Sequence, residues 1–376
     1  MALRLIYGSS SKALRESCLQ EVIAWTGRWP DRRAIVLVPE QAKLDFEQAY
    51  LQLAPQGGLL MAEILSFRRL ATRLGSEIGL AFPRQINQAG QAMLLYRILQ
   101  EQKDQLQLYA PLADKPGFVR EIAAVLGDLR RSQVDATTLA NLAPKVPDIG
   151  LRQKINDLAV LQQAYSETSQ QLGLSDADGA LDQLAAWLLS PPNPLAGRLD
   201  WLAQTTGWVV GFGETRNFTP QEFTVLEALN HRTAQLNVTV LADALPADAL
   251  AAEQAEASFL IGRRTAWSLV RRFAPQATLS VTATGHQPQV RLVQAARPED
   301  QVTWLAGEIR RLVQTGAVRY RDINIAVCRP AEDLPRVQVA FNQFQIPLFL
   351  DQVRSLSGTA LMRTVLGLLD IARCHQ

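Results

Sequence analysis

The sequence predicts an α/β protein whose parallel sheet is covered by helices, in two lobes, the first carrying a large all-helical insertion. Three observations predict it. Short buried runs alternate with helical periods over the first 84 residues, helical periods alone fill residues 85–194, and the strand-and-helix alternation then resumes. The first lobe is assigned to residues 1–84 plus 195–285, the insertion to 85–194 and the second lobe to 286–376.

Taken in order, Leu3-Arg4-Leu5-Ile6-Tyr7 is a first buried strand, followed by a Gly/Ser loop and a helix over residues 13–25. Ala34-Ile35-Val36-Leu37-Val38 is a second strand, stopped by Pro39. A helix over 41–53 follows, with apolar positions at Leu44, Tyr50 and Leu51. A third strand is expected over 59–65, and Ser66 can cap a short helix through Leu74 by accepting from a first-turn N–H. In the insertion, Ile155, Leu158, Leu161 and Tyr165 recur at helical spacing and no convincing strand is found. Ser190-Pro191-Pro192-Asn193-Pro194 closes it, and Gly207-Trp208-Val209-Val210-Gly211-Phe212 restores sheet character.

Thr219-Pro220-Gln221-Glu222 specifies a helix over 220–230: Thr219 caps, Pro220 takes the first helical position and Glu222 reaches back to the cap. Strands over 236–241 and 278–282, with a helix over 253–273 between them, finish the first lobe. In the second, Arg291-Leu292-Val293-Gln294-Ala295-Ala296, Ile323-Asn324-Ile325-Ala326-Val327 and residues 347–350 read as strands. Helices are expected over 298–314, around 332–343 and at the end. Three strands are few for a parallel-sheet lobe, so the chain reads as the amino-terminal part of something longer.

Composition narrows the function. The 376 residues are 48% hydrophobic, ample for packed cores. Lys and Arg number 38 against 36 Asp and Glu, so any nucleic-acid contact must be local. Cys18, Cys328 and Cys374 lie far apart without CxxC spacing. That argues against a disulfide framework, a zinc ribbon or a self-contained iron–sulfur site, and fits a reducing cytoplasm. The opening apolar run is too short for a signal peptide, and no stretch approaches the roughly 18 apolar residues of a membrane span. A cytoplasmic protein without membrane contact is expected.

Gly8-Ser9-Ser10-Ser11-Lys12-Ala13 sits where a phosphate loop belongs, between a first strand and a first helix. The full pattern GxxxxGK[ST] needs glycine before the lysine for close backbone approach and a hydroxyl after it for magnesium. Here Ser11 precedes Lys12 and Ala13 follows it. Three readings stay open: a plain Ser-rich turn, weak binding of ATP or phosphate, and an active P-loop NTPase or phosphotransferase using Lys12. A triphosphatase also needs an acidic pair at the end of a buried strand. Trp208-Val209-Val210 runs instead into Gly211-Phe212-Gly213, with Glu214 alone beyond it. His231, His286 and His375 lack HExxH spacing, and Glu101-Gln102-Lys103 lies in a Gln-rich amphipathic helix. No catalytic residue and no metal ligand is assigned.

The best functional candidate is Ser66-Phe67-Arg68-Arg69-Leu70-Ala71-Thr72-Arg73, three guanidiniums and a ring at a strand-to-helix junction. Phe67 could stack on a base and Arg69 fork onto a guanine edge or a phosphate, the contacts single-strand readers combine. A core Phe with a solvated basic helix is the other reading.

These residues, with Leu37-Val38-Pro39-Glu40-Gln41, Gly211-Phe212, Asn217-Phe218-Thr219-Pro220-Gln221-Glu222-Phe223, Gln294-Ala295-Ala296 and Ile346-Pro347-Leu348-Phe349-Leu350-Asp351, carry a resemblance. Over essentially its whole length the chain resembles the amino-terminal third of the AddB/RexB-type subunit of the ATP-dependent helicase/nuclease that processes bacterial double-strand breaks. The resemblance implies two RecA-like lobes of P-loop helicase type, a decayed motor, and lobes that hold single- and double-stranded DNA. It implies that the region reads the emerging single strand for a Chi recombination hotspot while a helicase/nuclease of AddA/RexA type translocates as its heterodimer partner.

Gln41, Phe67 and Arg69 match family positions implicated in that reading, with Arg68 beside them, and either Phe212 or Phe218 should join them. Two departures bear on the hotspot sequence: a family tryptophan is Thr72 here, and a threonine-like polar position is Lys43. The family's nuclease, its magnesium and its iron–sulfur cysteines belong beyond residue 376, so this region alone is expected to be non-catalytic and to carry no cofactor beyond weak ATP and magnesium binding. A scaffold whose helical insertion only binds the partner is the remaining alternative.

Overall fold

The computed structural model describes residues 2–54, 61–78, 84–175, 179–190, 196–214, 216–243, 245, 261–273, 277–281, 290–350 and 356–374. Expectations at residues 59–60, 191–194, 253–260, 282 and 351, and at His286 and His375, lie outside them. The chain forms two compact units, Met1–Gly285 and His286–Gln376.

The first unit runs β1 (Ala2–Gly8), α1 (Ser11–Arg28), β2 (Ala34–Leu37), α2 (Lys43–Leu53), β3 (Ala62–Leu65), α3 (Phe67–Ile78), β4 (Arg84–Gln85) and α4 (Gln88–Glu101). It continues with α5 (Pro116–Arg131), α6 (Ala136–Leu142), α7 (Ile149–Gln171), β5 (Leu174–Ser175) and α8 (Gly179–Leu189). Then come β6 (Thr206–Val209), α9 (Pro220–Arg232), β7 (Gln235–Leu241), α10 (Ile261–Phe273) and β8 (Ala277–Ser280). Six strands make one parallel sheet in the order β3-β2-β6-β7-β1-β8.

Both faces of this sheet are covered, so β2 is apolar at every position, and the polar Asn237 and Thr239 of β7 are buried with their side chains donating to the carbonyls of Gly207 and Val209. Ala34 and Val36 of β2 pack with Cys18 and Val22 of α1 and Phe46 and Tyr50 of α2. The alternating residues Ile35 and Leu37 face the other core, with Leu70 of α3, Leu184 of α8 and Leu226 of α9. The expected start of α9 is present as a reciprocal capping box. Thr219 Oγ1 accepts from Glu222 N at 3.2 Å, and Glu222 Oε2 accepts from Thr219 N at 2.9 Å.

The inserted helices have their own core around Leu95, Ile98, Leu99, Leu161 and Tyr165. The insertion is not strand-free as expected. β4 and β5 pair in parallel, Arg84 opposite Leu174 and Gln85 opposite Ser175, clipping its entry to its exit. Two-residue strands carry no readable period. At its centre, Asp157 of α7 is 1% exposed and accepts from the backbone N–H groups of Gln107, Leu108 and Tyr109, each at 2.8 Å.

The second unit departs further from expectation. α11 (Pro298–Gln314) and α12 (Pro330–Gln343) form as read, followed by α13 (Ala360–Cys374). The segments 291–296, 323–327 and 347–350 have no ladder partner among the described residues, so the three expected strands are not formed. Ile323, Ile325, Val327 and Leu348 instead lay their side chains on a core of Val302, Ile309, Val337 and Phe341. The apolar alternation is thus satisfied by packing on helices, without the backbone pairing a strand also requires.

Candidate nucleic-acid interface at the carboxyl edge of the sheet

Because the strands are parallel and in register, with Leu37 opposite both Leu65 and Val209, Val209 opposite Val238 and Gly8 opposite Leu241, their carboxyl ends share one edge. This is the edge at which open α/β sheets bind ligands. It gathers the loops carrying every candidate residue.

At the corner of β2 and β3, Ser66 is buried and its Oγ accepts from Arg69 N at 3.4 Å, holding the start of α3. Arg69 Nε donates to Glu40 Oε1 at 3.1 Å while its side chain stays 57% exposed. The Ser66 hydroxyl first, then Arg69 and Lys43, hold the Glu40 carboxyl below its ordinary range. Arg68 is exposed with no ion-pair partner among the described residues, and Thr72 Oγ1 donates to its backbone carbonyl at 3.3 Å. Gln41 is exposed in a short 3-10 turn, Glu40–Ala42, that replaces the expected start of the next helix. Lys43 pairs with Glu47 at 3.1 Å. Arg73 bridges Glu63 at 3.0 Å and Glu77 at 2.8 Å, so it is neutralised rather than free for phosphate.

The rings are placed differently from a stacking platform. Phe67, Phe212 and Phe218 are 4%, 7% and 4% exposed. Phe67 meets Phe212 edge to face at 5.1 Å and Phe218 at 6.4 Å, and Phe212 stacks on Phe218 at 5.3 Å. Their faces are spent on one another, so none is presented to a base. Phe67 therefore packs in the core with Phe212 and Phe218 around it. A signal for this lies in the sequence: Phe67, Leu70, Ala71 and Leu74 recur at helical spacing, and all four are buried.

The loop after β1 is shorter than expected. α1 begins at Ser11, not near 13, leaving Ser9 and Ser10 between Gly8 and the helix. Ser10 Oγ accepts from Ala13 N at 3.3 Å as the helix cap. Lys12, 85% exposed, lies 3.9 Å from Glu16 one turn along. Ser11 Oγ donates to Glu214 Oε1 at 2.7 Å, so a carboxylate that stands alone in the sequence is brought to this loop from 203 residues away.

These residues do not fit a magnesium triphosphate. Ala13 offers no ligand, Ser11 is engaged, Lys12 lies beside Glu16, and Glu214 brings a negative charge, which repels phosphate, to Ser11 of the same loop. Cys18, the cysteine of the first unit, is carried by α1 and buried against β2, away from this edge's polar groups.

A family model described as "ADDB, N-terminal" matches residues 5–297. The B subunit of the ATP-dependent helicase/deoxyribonuclease of Desulforudis audaxviator (strain MP104C) is 30% identical over 404 residues, covering 98% of this chain and 34% of that protein. The proteins of the same name from Moorella thermoacetica and Clostridium novyi are 29% and 23% identical, covering 98% and 99% of this chain and 34% of each relative. The chain thus spans about a third of the length of the curated relatives it matches. With blocks such as Leu37–Gln41, Leu65–Ala71 and Gly211–Phe223 inside the matched residues, the chain belongs to the AddB amino-terminal family.

Proposed function

We propose that this chain is the motor-inactive, DNA-binding region of a cytoplasmic AddB-type helicase/deoxyribonuclease protein that acts in double-strand-break repair beside a helicase of AddA/RexA type. In this reading the first unit is a RecA-like lobe and the second the beginning of another, and the β2–β3 corner reads single-stranded DNA for a Chi-type hotspot. The observation that carries it is the exposed cluster of Gln41, Arg68, Arg69 and Thr72 at one sheet edge, where Arg68 has no carboxylate partner among the described residues. Arg69 can exchange its Glu40 partner for a phosphate or a guanine edge, both bidentate acceptors of a guanidinium. Phe67, Phe212 and Phe218 act beneath that edge, fixing the angle at which α3 presents its arginines.

The test is binding of a fluorescently labelled single strand by the 376-residue chain. Arg68→Ala/Arg69→Ala is expected to weaken it at least about tenfold, a guanidinium contact being worth about 1–3 kcal/mol, with little change in melting temperature. Phe67→Ala should chiefly lower the melting temperature. In the assembled enzyme, Arg69→Ala should blunt the hotspot response and spare unwinding of hotspot-free DNA. A wild-type chain that leaves single strands unbound, or an arginine double variant that binds as tightly, would overturn the reading.

Loss of the motor has its own check. ATP turnover by the chain is expected to be the same with Lys12→Ala as without it, because Lys12 faces Glu16 and not a phosphate cradle. Turnover that disappears with this variant would restore the NTPase alternative.

A further inference from the structure

Helix α10 carries the sequence Ile261-Gly262-Arg263-Arg264-Thr265-Ala266-Trp267-Ser268-Leu269-Val270-Arg271-Arg272-Phe273. Gly262, Thr265, Ala266 and Leu269 are buried against the sheet, which turns the arginines outward. Two of the four are neutralised: Arg263 pairs with Asp243 at 2.6 Å, and Arg272 donates to Glu227 Oε2 at 3.1 Å. Arg264 and Arg271 are exposed and have no carboxylate partner among the described residues. They share one stripe with Trp267 and Ser268, at i, i+3, i+4 and i+7.

That stripe is one wall of a groove of about 650 Å³. The other wall is the loop entering α9, including Asn217 and Pro220. This loop is held rigidly. Arg216 makes a two-pronged contact with Glu222 at 2.7 and 2.8 Å, and Asn217 Nδ2 donates to Ser268 Oγ at 3.2 Å across the groove. Trp267 is half-buried and lines the groove together with Arg264 and Arg271.

We propose that this groove is a second contact for single-stranded nucleic acid, in which Arg264 and Arg271 each hold a backbone phosphate and Trp267 stacks on an intervening base. The inference rests on the DNA-binding reading above; the groove shares Phe218 with it, but none of the arginines. Two cations without a carboxylate partner among the described residues suit a polyanion. Seven residues of helix rise about 10.5 Å, which sets the two cations too far apart to share one phosphate and suits successive contacts along a strand. A flat ring between them favours a strand whose bases are unpaired, since a base inside a duplex has no free face to offer.

The test is binding of labelled oligothymidylate by the 376-residue chain over a range of salt concentrations. Arg264→Ala/Arg271→Ala is expected to raise Kd about tenfold or more and to flatten the slope of log K against log salt by about 1.4, at roughly 0.7 per phosphate contact on a single strand. Its melting temperature should not move, because both side chains are exposed. Arg264→Lys/Arg271→Lys should keep the wild-type slope, the charge being retained. Unchanged affinity and slope in the alanine variant, with Arg68→Ala/Arg69→Ala still defective, would sink the groove and leave the first reading standing. Failure of the wild-type chain to bind the oligonucleotide sinks both. Loss of binding to polyglutamate with oligothymidylate binding intact would mark the groove as a surface for acidic protein and overturn the proposal.

Discussion

Replacing Gly262 by alanine should destabilise the first unit by about 3 kcal/mol or more, the upper range for forcing a methyl into a packed interior. A Cβ built there would lie 1.7 Å from the carbonyl oxygen of Leu241 and 2.8 Å from its carbonyl carbon. Both atoms are backbone at the end of β7, so no side chain can swing aside; α10 must lift from the strand or β7 must bend. Leu241 is also paired with Gly8 of β1, which transmits any bend to the neighbouring strand. A fall in melting temperature of roughly 6 °C is expected, at about 2 °C per kcal/mol for a unit of this size. A variant melting with the wild type would show that α10 tolerates a wider approach to β7.

Asp157→Ala should cost about 4 kcal/mol, because it orphans three N–H groups at once and each unmet buried donor carries a penalty of about 1–3 kcal/mol. The carboxylate divides its oxygens among them, Oδ1 to Gln107 and Oδ2 to both Leu108 and Tyr109. Three consecutive N–H groups converging on one point form a concavity suited to an anion. Asp157→Asn should recover part of the loss, since its amide oxygen can accept while its NH₂ opposes a donor. Chemical denaturation measures the stability change, and faster amide exchange confined to residues 107–109 would locate it. An alanine variant as stable as the wild type would mean that water replaces the carboxylate.

What is legible in the sequence follows from how much structure a local pattern can specify. The strands β1, β2 and β6 lie in largely apolar runs bounded by glycine, proline or polar clusters, β7 alternates polar with β-branched or leucine residues, and α9 announces itself through a capping box that needs only four residues. Each is a short-range signal. The start of α1 is harder to place because Ser10 reads equally well as loop, whereas its hydroxyl caps a helix that already contains Ser11 and Lys12. That small displacement decides the fate of the phosphate loop. The second unit's strands fail for the opposite reason: their alternation is real, but a ladder also needs a neighbour.

The candidate site is half legible. Arg68 and Arg69 lie on the exposed side of α3, as a basic helix face would, and Thr72 with them. Phe67 lies one residue earlier and turns inward, where Phe212 and Phe218 arrive from a loop more than a hundred residues away. No local pattern reports such a meeting. The same holds for Glu214 beside Ser11, and for Asp157, whose partners are backbone groups that carry no sequence signature.

The place of β1 in the sheet sets a schedule for folding. It lies between β7 and β8, and its register joins Ala2 to Gln235 and Arg4 to Ala277. During synthesis, at about 5–20 residues per second, its first ladder partner emerges on the order of 10 to 50 s after it does. β2, β3 and the inserted helices can assemble during that interval, since their contacts close over shorter stretches of chain. Leu3, Leu5 and Ile6 wait without a neighbour until β7 is made, so β1 is made before β2 and β3 yet paired after them, and a chaperone that shields nascent apolar segments has a long task at this strand.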